Sequence, residues 1–317
     1  MKILAYHKLD EKFIKNIENN GENLVISLSE DNFPKGDKEL EDADILIGWG
    51  DTDDFTEERI RMTKKLKWIH ILAAGVDRLP FKELKEKNIK VTNSSGIHAI
   101  PISEHVFATL LFLEKNLNVL YKQQLNKCWR QQPIEELSGK IMAIIGVGKI
   151  GKEIAQKGKA FHMKVLGIRN NPLPIEYVDE MYSMDHLKEV LSKAHVVVIA
   201  LPLTDKTKGL FTFETFNYMR KDSYFINIGR GKIVQEDGLI KALQQGIIKG
   251  ASLDVFQKEP LDKESPLWTM DNVIITPHQS GSSPYYIERT MDIFMENLVR
   301  IKNKQQLINL VDLDNKY

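Results

Sequence analysis

The 317-residue chain lacks several features that mark particular classes of protein. It has one cysteine, Cys128, so no disulfide can form within the chain, and this fits a reducing compartment. Its 44 basic residues are balanced by 44 acidic ones, which argues against a nucleic-acid-binding surface as its main feature. The longest apolar run without glycine, residues 196–201, is far shorter than the roughly 20 residues of a membrane span, and the N-terminus lacks the apolar stretch of a signal peptide. We therefore expect a cytoplasmic protein that binds neither nucleic acid nor a membrane.

The pattern of the chain predicts an α/β fold. Short β-branched runs alternate with amphipathic stretches, as expected for parallel sheets with helices on both faces. The predicted strands Ile141–Ile145 and Lys164–Ile168 carry apolar residues at consecutive positions, which is typical of strands buried on both faces. At about 100–200 residues per domain, the length indicates two domains. We expect two Rossmann-like or flavodoxin-like domains, each built on a parallel sheet.

A long helical pattern separates the two series of predicted strands. Apolar residues recur at helical spacing from Ile102 to about Asn126, and Pro284 precedes a final amphipathic helix. We therefore expect a substrate domain that comprises residues 1–101 plus 285–317. The second domain, residues 102–284, is expected to be inserted into the first.

A G-x-G-x-x-G sequence follows the predicted strand Ile141–Ile145 directly and leads into a helical pattern. In a dinucleotide site, Gly146 permits the tight turn, Gly148 lets the backbone approach a pyrophosphate, and Gly151 lets the helix pack on the strand. The start of the helix, which includes Lys149 and Ile150, offers N–H groups to the phosphates. The alternative is a tight turn without a ligand. The complete strand–loop–helix frame favours dinucleotide binding by the 102–284 domain.

The second strand of this domain indicates which dinucleotide is bound. Sites for NAD usually carry an acidic residue about 20 residues further on, which hydrogen-bonds the ribose. Here the predicted strand Lys164–Ile168 is followed by Arg169, and the next acidic residue is Glu176. An arginine pairs with a ribose 2′-phosphate, which a carboxylate would repel. We therefore expect NADP(H), although an exposed Arg169 that touches nothing would leave NAD(H) possible.

Three charged or titratable residues follow predicted strands in the second half of the chain: Arg230, Glu259 and His278. The carboxyl ends of parallel strands are where an open α/β sheet binds its ligand. A guanidinium can donate two hydrogen bonds to a carboxylate, and a histidine titrates near neutral pH and suits proton transfer. Taken alone, Arg230 could instead bind cofactor phosphate, Glu259 could lie in a solvated turn, and His278 could be structural.

Several segments, taken in order, resemble the D-isomer-specific 2-hydroxyacid dehydrogenase family over nearly the whole chain. They are residues 74–77, 93–96, 104–105, 146–151, 201–204, 227–231, 253–260 and 276–281. Within the family, the chain looks most similar to the glyoxylate/hydroxypyruvate reductase branch, for which NADPH is the typical cofactor. Arg169 fits that branch.

The resemblance implies a role for each of the three site residues. Arg230 would hold a 2-oxo acid by its carboxylate and carbonyl oxygen, and His278 would exchange a proton with that carbonyl oxygen. Glu259 would hydrogen-bond the imidazole and fix its tautomer. Four further residues that follow predicted strands are expected to bind the cofactor: Pro202, Thr207, Asn227 and Asp254.

The resemblance also concerns the first domain and the assembly. The loop of Ala74, Gly75 and Val76 would bind the substrate carboxylate through its backbone N–H groups, although an ordinary strand–helix turn is the alternative. His105 on the predicted linker helix is expected to serve core packing or an interdomain hydrogen bond. No group of residues has metal-ligand spacing, so we expect no metal. The family usually dimerises through its nucleotide-binding domain, which implies a homodimer.

Together these features predict an NADPH-linked reductase of glyoxylate or hydroxypyruvate. One alternative is an NAD(H)-dependent D-2-hydroxyacid dehydrogenase for a bulkier substrate. Another is a nucleotide-sensing binding protein on the same fold, against which the presence of Arg230, Glu259 and His278 argues.

Overall fold

The computed structural model describes residues 1–26, 37–50, 53–76 and 78–314 of the chain. The chain divides into two compact units. The first unit comprises Met1–Ile97 and Pro284–Tyr317, and the second comprises His98–Ser283.

The first unit is built on a five-stranded parallel sheet. Its elements before the second unit are β1 Lys2–Ala5, α1 Glu11–Asn19, β2 Asn23–Ile26, α2 Asp37–Glu41, β3 Ile45–Gly48, α3 Glu57–Met62, β4 Trp68–Ile71, α4 Phe81–Glu86 and β5 Lys90–Thr92. The strand order is β2-β1-β3-β4-β5, so the sheet order reverses between β1 and β3. This is the flavodoxin-like order, in which ligands bind at the carboxyl ends of the strands beside the reversal.

The second unit is built on a seven-stranded parallel sheet. Its elements are α5 Ala99–Glu114, α6 Leu117–Leu125, β6 Ile141–Ile145, α7 Lys149–Ala160, β7 Lys164–Ile168, β8 Glu180–Tyr182, α8 Leu187–Lys193, β9 Val196–Ile199, α9 Phe213–Phe216, β10 Tyr224–Asn227, α10 Glu236–Gln244, β11 Gly250–Leu253 and β12 Val273–Ile275. The strand order is β12-β11-β10-β9-β6-β7-β8, which reverses between β6 and β9. Counted within the unit, this is the doubly wound dinucleotide-binding order with one extra strand. The predicted fold class is therefore confirmed.

Successive residues of the strands point into apolar clusters on opposite faces, so both faces of each sheet are buried. In β1, Ile3 and Ala5 enter one apolar cluster while Leu4 enters another on the opposite face. In β6, Met142 and Ile144 likewise face one cluster, and Ala143 and Ile145 face the other. A strand with two buried faces must be apolar at every position, which is the pattern that the sequence shows.

After the second unit the chain returns to the first as α11, Tyr286–Lys302. Met291, Phe294 and Leu298 lie on one face of this helix and are fully buried. The Phe294 ring stacks on Trp68 of β4, with 5.0 Å between the ring centroids. The last helix is thus part of the core of the first unit.

Two details differ from the sequence-based expectation. The single helix predicted from Ile102 to about Asn126 is wrong: α5 ends at Glu114, and Asn116 adopts a left-handed backbone with φ of +50° before α6 begins. Asparagine tolerates this conformation better than most residues, so apolar periodicity continues across a real helix break. The edge strand β8 was not predicted, because Glu180–Tyr182 is short and only partly apolar. The sequence pattern also predicts a strand over residues 24–28; β2 lies at this place in the chain, and residues 27 and 28 lie outside the described residues.

A buried histidine lies on β4, an interior strand of the first sheet. His70 of β4 has no exposed surface, and its Nδ1 shares a 2.9 Å hydrogen bond with the Thr92 hydroxyl. The same hydroxyl accepts a hydrogen bond from Trp68 Nε1. Burial lowers the pKa of His70 from its ordinary 6.5 to about 3, because the charged imidazolium loses its hydration. His70 is therefore neutral in the folded protein at all but strongly acidic pH.

His70 makes the stability of the protein depend on pH in a defined direction. Below pH 6.5 His70 is protonated in the unfolded chain, whereas in the folded chain it stays neutral down to about pH 3. The free energy of unfolding therefore falls as the pH falls from 6.5 to 3. Between pH 7.5 and 5.5 we expect the wild type to lose about 1.4 kcal/mol more unfolding free energy than His70→Gln. Urea denaturation at both pH values measures this difference. His162→Gln changes an exposed histidine and should retain the wild-type slope, and equal slopes for wild type and His70→Gln would contradict the explanation.

Candidate active site

The glycine turn between β6 and α7 satisfies the geometric demands of a dinucleotide site. Gly146 has φ of +105°, and a Cβ there would lie 2.7 Å from the carbonyl oxygen of Ala200. A Cβ on Gly151 would lie 2.6 Å from the carbonyl oxygen of Gly146. By contrast, a Cβ on Gly148 would have nothing within 4 Å. Two of the glycines are thus required by close packing, while the third leaves open space beside the backbone.

The start of α7 borders this open space. Gly148 is its N-cap residue, and no side chain of the described residues caps the helix. The first N–H groups of a helix lack partners within it and carry partial positive charge, so they suit an anion. The turn therefore fits a dinucleotide pyrophosphate, which the backbone of Gly148, Lys149 and Ile150 could hold.

Arg169 lies at the carboxyl end of the neighbouring strand β7. Its backbone N–H donates to the carbonyl oxygen of Tyr182 in β8 (3.0 Å), and its side chain is exposed. Its guanidinium makes no hydrogen bond or ion pair with any other described side chain. The next acidic residue along the chain, Glu176, is paired with Lys152 (2.8 Å). The guanidinium is thus available to a ligand.

Thr207 and Asn227 hold the loops that follow β9 and end β10. The Thr207 hydroxyl donates to the carbonyl oxygen of Pro202 (2.7 Å) and accepts from the N–H of Thr204 (2.8 Å). Asn227 Oδ1 accepts from the N–H of Gly229 (3.1 Å), and the side chain is almost fully buried. Their polar atoms serve the loops themselves, so these residues shape the carboxyl edge of the sheet.

His278 and Glu259 form a direct pair on the segments that follow β12 and β11. His278 Nδ1 lies 2.8 Å from Glu259 Oε2, and Glu259 Oε1 accepts from the N–H of Phe256 (3.0 Å). Burial would raise the pKa of Glu259, but hydrogen bonds from His278 and Phe256 outweigh it and lower the pKa below its ordinary value. An ionised carboxylate can only accept, so the ring proton lies on Nδ1. The other ring nitrogen, Nε2, is left for a reacting group.

Arg230 follows the next strand, β10. Its side chain is exposed, and Nη1 donates to the carbonyl oxygen of Gly229 (2.8 Å). Within the described part of the chain, no hydrogen bond or ion pair joins it to Glu259 or His278. Because β10, β11 and β12 are adjacent parallel strands, the three residues follow the same edge of one sheet.

Asp254 immediately follows β11 and is 1% exposed. Its carboxylate accepts hydrogen bonds from the Thr276 hydroxyl (2.6 Å) and from the N–H groups of Gln279 (3.0 Å) and Ser280 (3.1 Å). Burial would raise the pKa of Asp254, but the hydrogen bonds from Ser280, Thr276 and Gln279 prevail and lower it. Asp254 is therefore an ionised anchor for the segment that carries His278.

This segment has an unusual backbone. His278 adopts φ of +49°, in the left-handed region that non-glycine residues rarely occupy. Its N–H donates to the carbonyl oxygens of Asp254 (2.9 Å) and Thr276 (3.0 Å). Such a conformation persists only where surrounding contacts enforce it, and Asp254 supplies several of them.

Sequence reasoning missed Thr276, Gln279 and Ser280 as supports of the site. It also placed His105 in core packing or an interdomain hydrogen bond. The structure shows instead that His105 Nε2 lies 3.2 Å from Thr276 Oγ1, and both residues belong to the second unit. Only the membership of Glu104 and His105 in one of the segments that resemble the family could have drawn attention to this residue.

The substrate-loop residues lie in the first unit, after β4. Asn93 Nδ2 donates to the carbonyl oxygen of Ala74 (2.8 Å), which fixes the backbone of the loop. None of the described residues accepts a hydrogen bond from the backbone N–H of Ala74, Gly75 or Val76. These donors could therefore serve an anion. Asp77, which completes the family segment, lies outside the described residues.

Among the described residues, no group of three or more His, Cys, Asp or Glu side chains is arranged so that it could hold a metal ion. No helix among the described ranges combines the length and apolar character needed to cross a membrane.

Comparisons with known proteins agree with this geometry. Residues 107–280 match the family "D-isomer specific 2-hydroxyacid dehydrogenase, NAD binding domain". A glyoxylate reductase of Pyrococcus furiosus is 30% identical over 84% of this chain and 81% of its own length. A D-isomer specific 2-hydroxyacid dehydrogenase family protein from Aeromonas salmonicida has a similar structure, with a TM-score of 0.81, 30% identity and 99% of both chains covered.

A second solved structure adds a ligand-bound relative. It is a D-isomer specific 2-hydroxyacid dehydrogenase from Xanthobacter autotrophicus in complex with NADPH and MES, with 26% identity and a TM-score of 0.80. It covers 100% of this chain, and 99% of its own length is covered. The family match, the similarity over nearly the whole chain, the doubly wound sheets and the glycine turn lead to one conclusion. The chain belongs to the D-isomer specific 2-hydroxyacid dehydrogenase family and is an NAD(P)-dependent oxidoreductase of 2-hydroxy acids.

Proposed function

We propose that the chain uses NADPH to reduce a small 2-oxo acid, glyoxylate or hydroxypyruvate, to the 2-hydroxy acid, with D stereochemistry where the product is chiral. The observation that carries the proposal is the His278–Glu259 pair, 2.8 Å apart, at the sheet edge that also bears the glycine turn. An oriented imidazole at the same carboxyl edge of the sheet as a dinucleotide turn supplies the proton that carbonyl reduction needs.

Each residue of the site has one task in this reaction. Arg230 binds the substrate carboxylate and carbonyl oxygen and stabilises the negative charge that develops on that oxygen. The N–H groups of Ala74, Gly75 and Val76 bind the substrate carboxylate. His278, protonated at both ring nitrogens for reduction, donates the Nε2 proton to the carbonyl oxygen, while Glu259 holds Nδ1 and stabilises the imidazolium. When bound, the nicotinamide supplies the hydride to the carbonyl carbon, and oxidation runs through the same groups in reverse.

The substrate assignment rests on similarity and on chemistry. The Pyrococcus furiosus relative, 30% identical, is a glyoxylate reductase. The Arg230 guanidinium can donate to two oxygens at once, as binding of a 2-oxo acid by its carboxylate and its ketone or aldehyde oxygen requires. An NAD(H)-linked dehydrogenase of a bulkier substrate and a nucleotide-sensing protein are the outcomes that the experiments below distinguish.

The cofactor assignment rests on Arg169. It lies at the end of the second strand of the unit, is exposed, and is followed by no acidic residue until Glu176, which Lys152 neutralises. The NADPH complex of the Xanthobacter autotrophicus relative supports the same preference. An arginine at this position binds the 2′-phosphate that distinguishes NADPH from NADH.

We also propose a homodimer, formed through the second unit. Helix α6 has no buried residue, and Leu117, Tyr121 and Leu125 follow one another at intervals of four along one face, each more than 40% exposed. Trp129, just beyond the helix, is fully exposed. Apolar side chains spaced in this way mark a surface that another protein covers, and the family's homodimer makes a second copy of this chain the proposed partner.

The first prediction concerns the catalytic pair. His278→Asn removes the proton donor, so kcat for NADPH oxidation with glyoxylate or hydroxypyruvate should fall about 10²–10⁴-fold while the Kd for NADPH changes little. Initial-rate kinetics measure kcat, and NADPH fluorescence titration measures the Kd. His186→Asn, which changes a histidine in a turn of the second unit that the mechanism does not use, should leave both unchanged. Normal turnover by His278→Asn would overturn the acid–base assignment.

The wild-type assay separates the alternatives to this function. Turnover of glyoxylate or hydroxypyruvate supports the proposal, whereas turnover only of bulkier 2-oxo acids points to the other dehydrogenase. NADPH binding without turnover of any 2-oxo acid in the panel would replace the enzyme proposal with the nucleotide-sensing protein.

The second prediction concerns cofactor preference. Charged hydrogen bonds contribute about 1.5–3 kcal/mol, so Arg169→Asp should lower the NADPH-to-NADH ratio of kcat/KM by about 10–100-fold or more. Arg220→Asp is the matched control, because Arg220 precedes β10 and so lies at the opposite, amino edge of the sheet. A wild-type preference for NADH would contradict the Arg169 argument and leave the family assignment standing.

The third prediction concerns the assembly. Tyr121→Glu combined with Leu125→Lys places charges on the exposed face of α6, and the dimer should dissociate to a monomer, because the charged side chains would lose their hydration in the interface. Light scattering after size exclusion measures the mass. Leu173→Lys changes another exposed apolar residue and should leave the dimer intact. A monomeric wild type at micromolar concentration would show that the proposed homodimer is wrong.

A further inference from the structure

A chain of hydrogen bonds runs from helix α5 to the segment that bears His278. His105, half-buried on α5, lies with Nε2 3.2 Å from Thr276 Oγ1. Thr276 Oγ1 lies 2.6 Å from Asp254 Oδ1, and the same carboxylate oxygen accepts the N–H of Gln279 at 3.0 Å. The other carboxylate oxygen accepts the N–H of Ser280 at 3.1 Å. All of these residues belong to the second unit.

The proton positions along this chain follow from chemistry. An ionised carboxylate cannot donate, so the Thr276 hydroxyl must donate its proton to Asp254. The Thr276 oxygen is then an acceptor toward His105, and His105 donates its Nε2–H. Burial lowers the pKa of His105, although Asp254 opposes this, so the imidazole donates in its neutral form. Every bond in the chain therefore has one defined direction.

The chain ends at a strained backbone. His278 is held at φ of +49°, and the residues on either side of it in the segment, Thr276 and Gln279, are both bonded to Asp254 Oδ1. If Thr276 loses its correct rotamer, Asp254 loses a hydrogen bond that offsets its burial and becomes a weaker anchor. The orientation of the imidazole depends on this anchor, because a left-handed residue relaxes when its contacts weaken.

We propose that His105 is a positioning residue that orients His278 by fixing the hydroxyl of Thr276, and through it the carboxylate of Asp254. The inference rests on the proposed function of His278 as the proton donor. His105 touches no reacting atom in this scheme. Its contribution is to hold the His278 segment in the geometry in which Nε2 is correctly aimed.

Two variants of His105 test the donated hydrogen bond. His105→Phe keeps a ring of similar size and removes the donor, whereas His105→Gln keeps an N–H donor at a similar distance from the backbone. In His105→Phe we expect kcat to fall about tenfold with an unchanged KM for NADPH, because small displacements of a catalytic group are costly. His105→Gln should recover most of the rate.

A second readout does not depend on activity. Hydrogen exchange of the Gln279 and Ser280 amides in the protein without ligands should be about tenfold faster in His105→Phe and close to wild type in His105→Gln. His195→Phe is the matched control. The His195 ring accepts a hydrogen bond from the N–H of Ile141 (3.1 Å) in the same unit, and His195 precedes β9, at the edge of the sheet opposite Asp254. This variant should leave exchange at Gln279 and Ser280 and kcat unchanged, even if it lowers the melting temperature.

The outcomes separate this inference from the function on which it rests. Wild-type exchange at Gln279 and Ser280 in His105→Phe overturns the positioning role, as does a His105→Gln variant that behaves like His105→Phe. If the wild type turns over no 2-oxo acid, the proposed function fails, and the exchange data still decide whether His105 anchors the segment. Should His105→Phe fail to fold, His105→Leu removes the same donor and leaves both partners of the Thr276–Asp254 hydrogen bond in place, with the same expected results.

Discussion

The buried carboxylate of Asp254 is the interaction on which the geometry of the active site depends. A charge that is 1% exposed is costly unless hydrogen bonds replace its hydration, and here the Thr276 hydroxyl and the N–H groups of Gln279 and Ser280 do so. The hydrogen bonds that stabilise this buried charge also fix the segment that holds His278 in its left-handed conformation. The burial of the Asp254 carboxylate and the position of His278 thus depend on the same hydrogen bonds, so a change in one would alter the other.

The candidate site separates the groups proposed to react from the groups that hold them. The side chain of His278 is 52% exposed and that of Glu259 is 36% exposed, so the pair remains accessible to a substrate. Thr207, Asn227 and Asp254 are buried, and their polar atoms are used in hydrogen bonds within or between loops. A parallel sheet makes this division possible, because its strands are rigid and their carboxyl ends all open on one edge. The loops then need only a few buried polar side chains to fix their shape.

Most of the fold was predictable because its signals are local and repeated. The strands Ile141–Ile145 and Lys164–Ile168 were predicted with their observed bounds, since five consecutive positions of largely apolar character are typical of a strand with two buried faces. The break between α5 and α6 was not, because Asn116 interrupts the helix without interrupting its apolar periodicity. The strand β8 was missed because Glu180–Tyr182 has only three residues, all of them partly exposed, and carries no run of apolar residues.

The groups proposed to react can be predicted from residue types at the ends of strands. The residues that hold those groups in place cannot. The glycine spacing, Arg169, Arg230, Glu259 and His278 each follow a recognisable strand, so their order along the chain was enough to nominate them. The contacts of Asp254, Thr276 and His105 are different in kind: they form a hydrogen-bond chain between residues up to 171 positions apart. Sequence order says nothing about the distance between such residues, since it is set by how α5 packs on the sheet. Residue identity therefore determined which groups could react, and tertiary packing decided which of them were held in place.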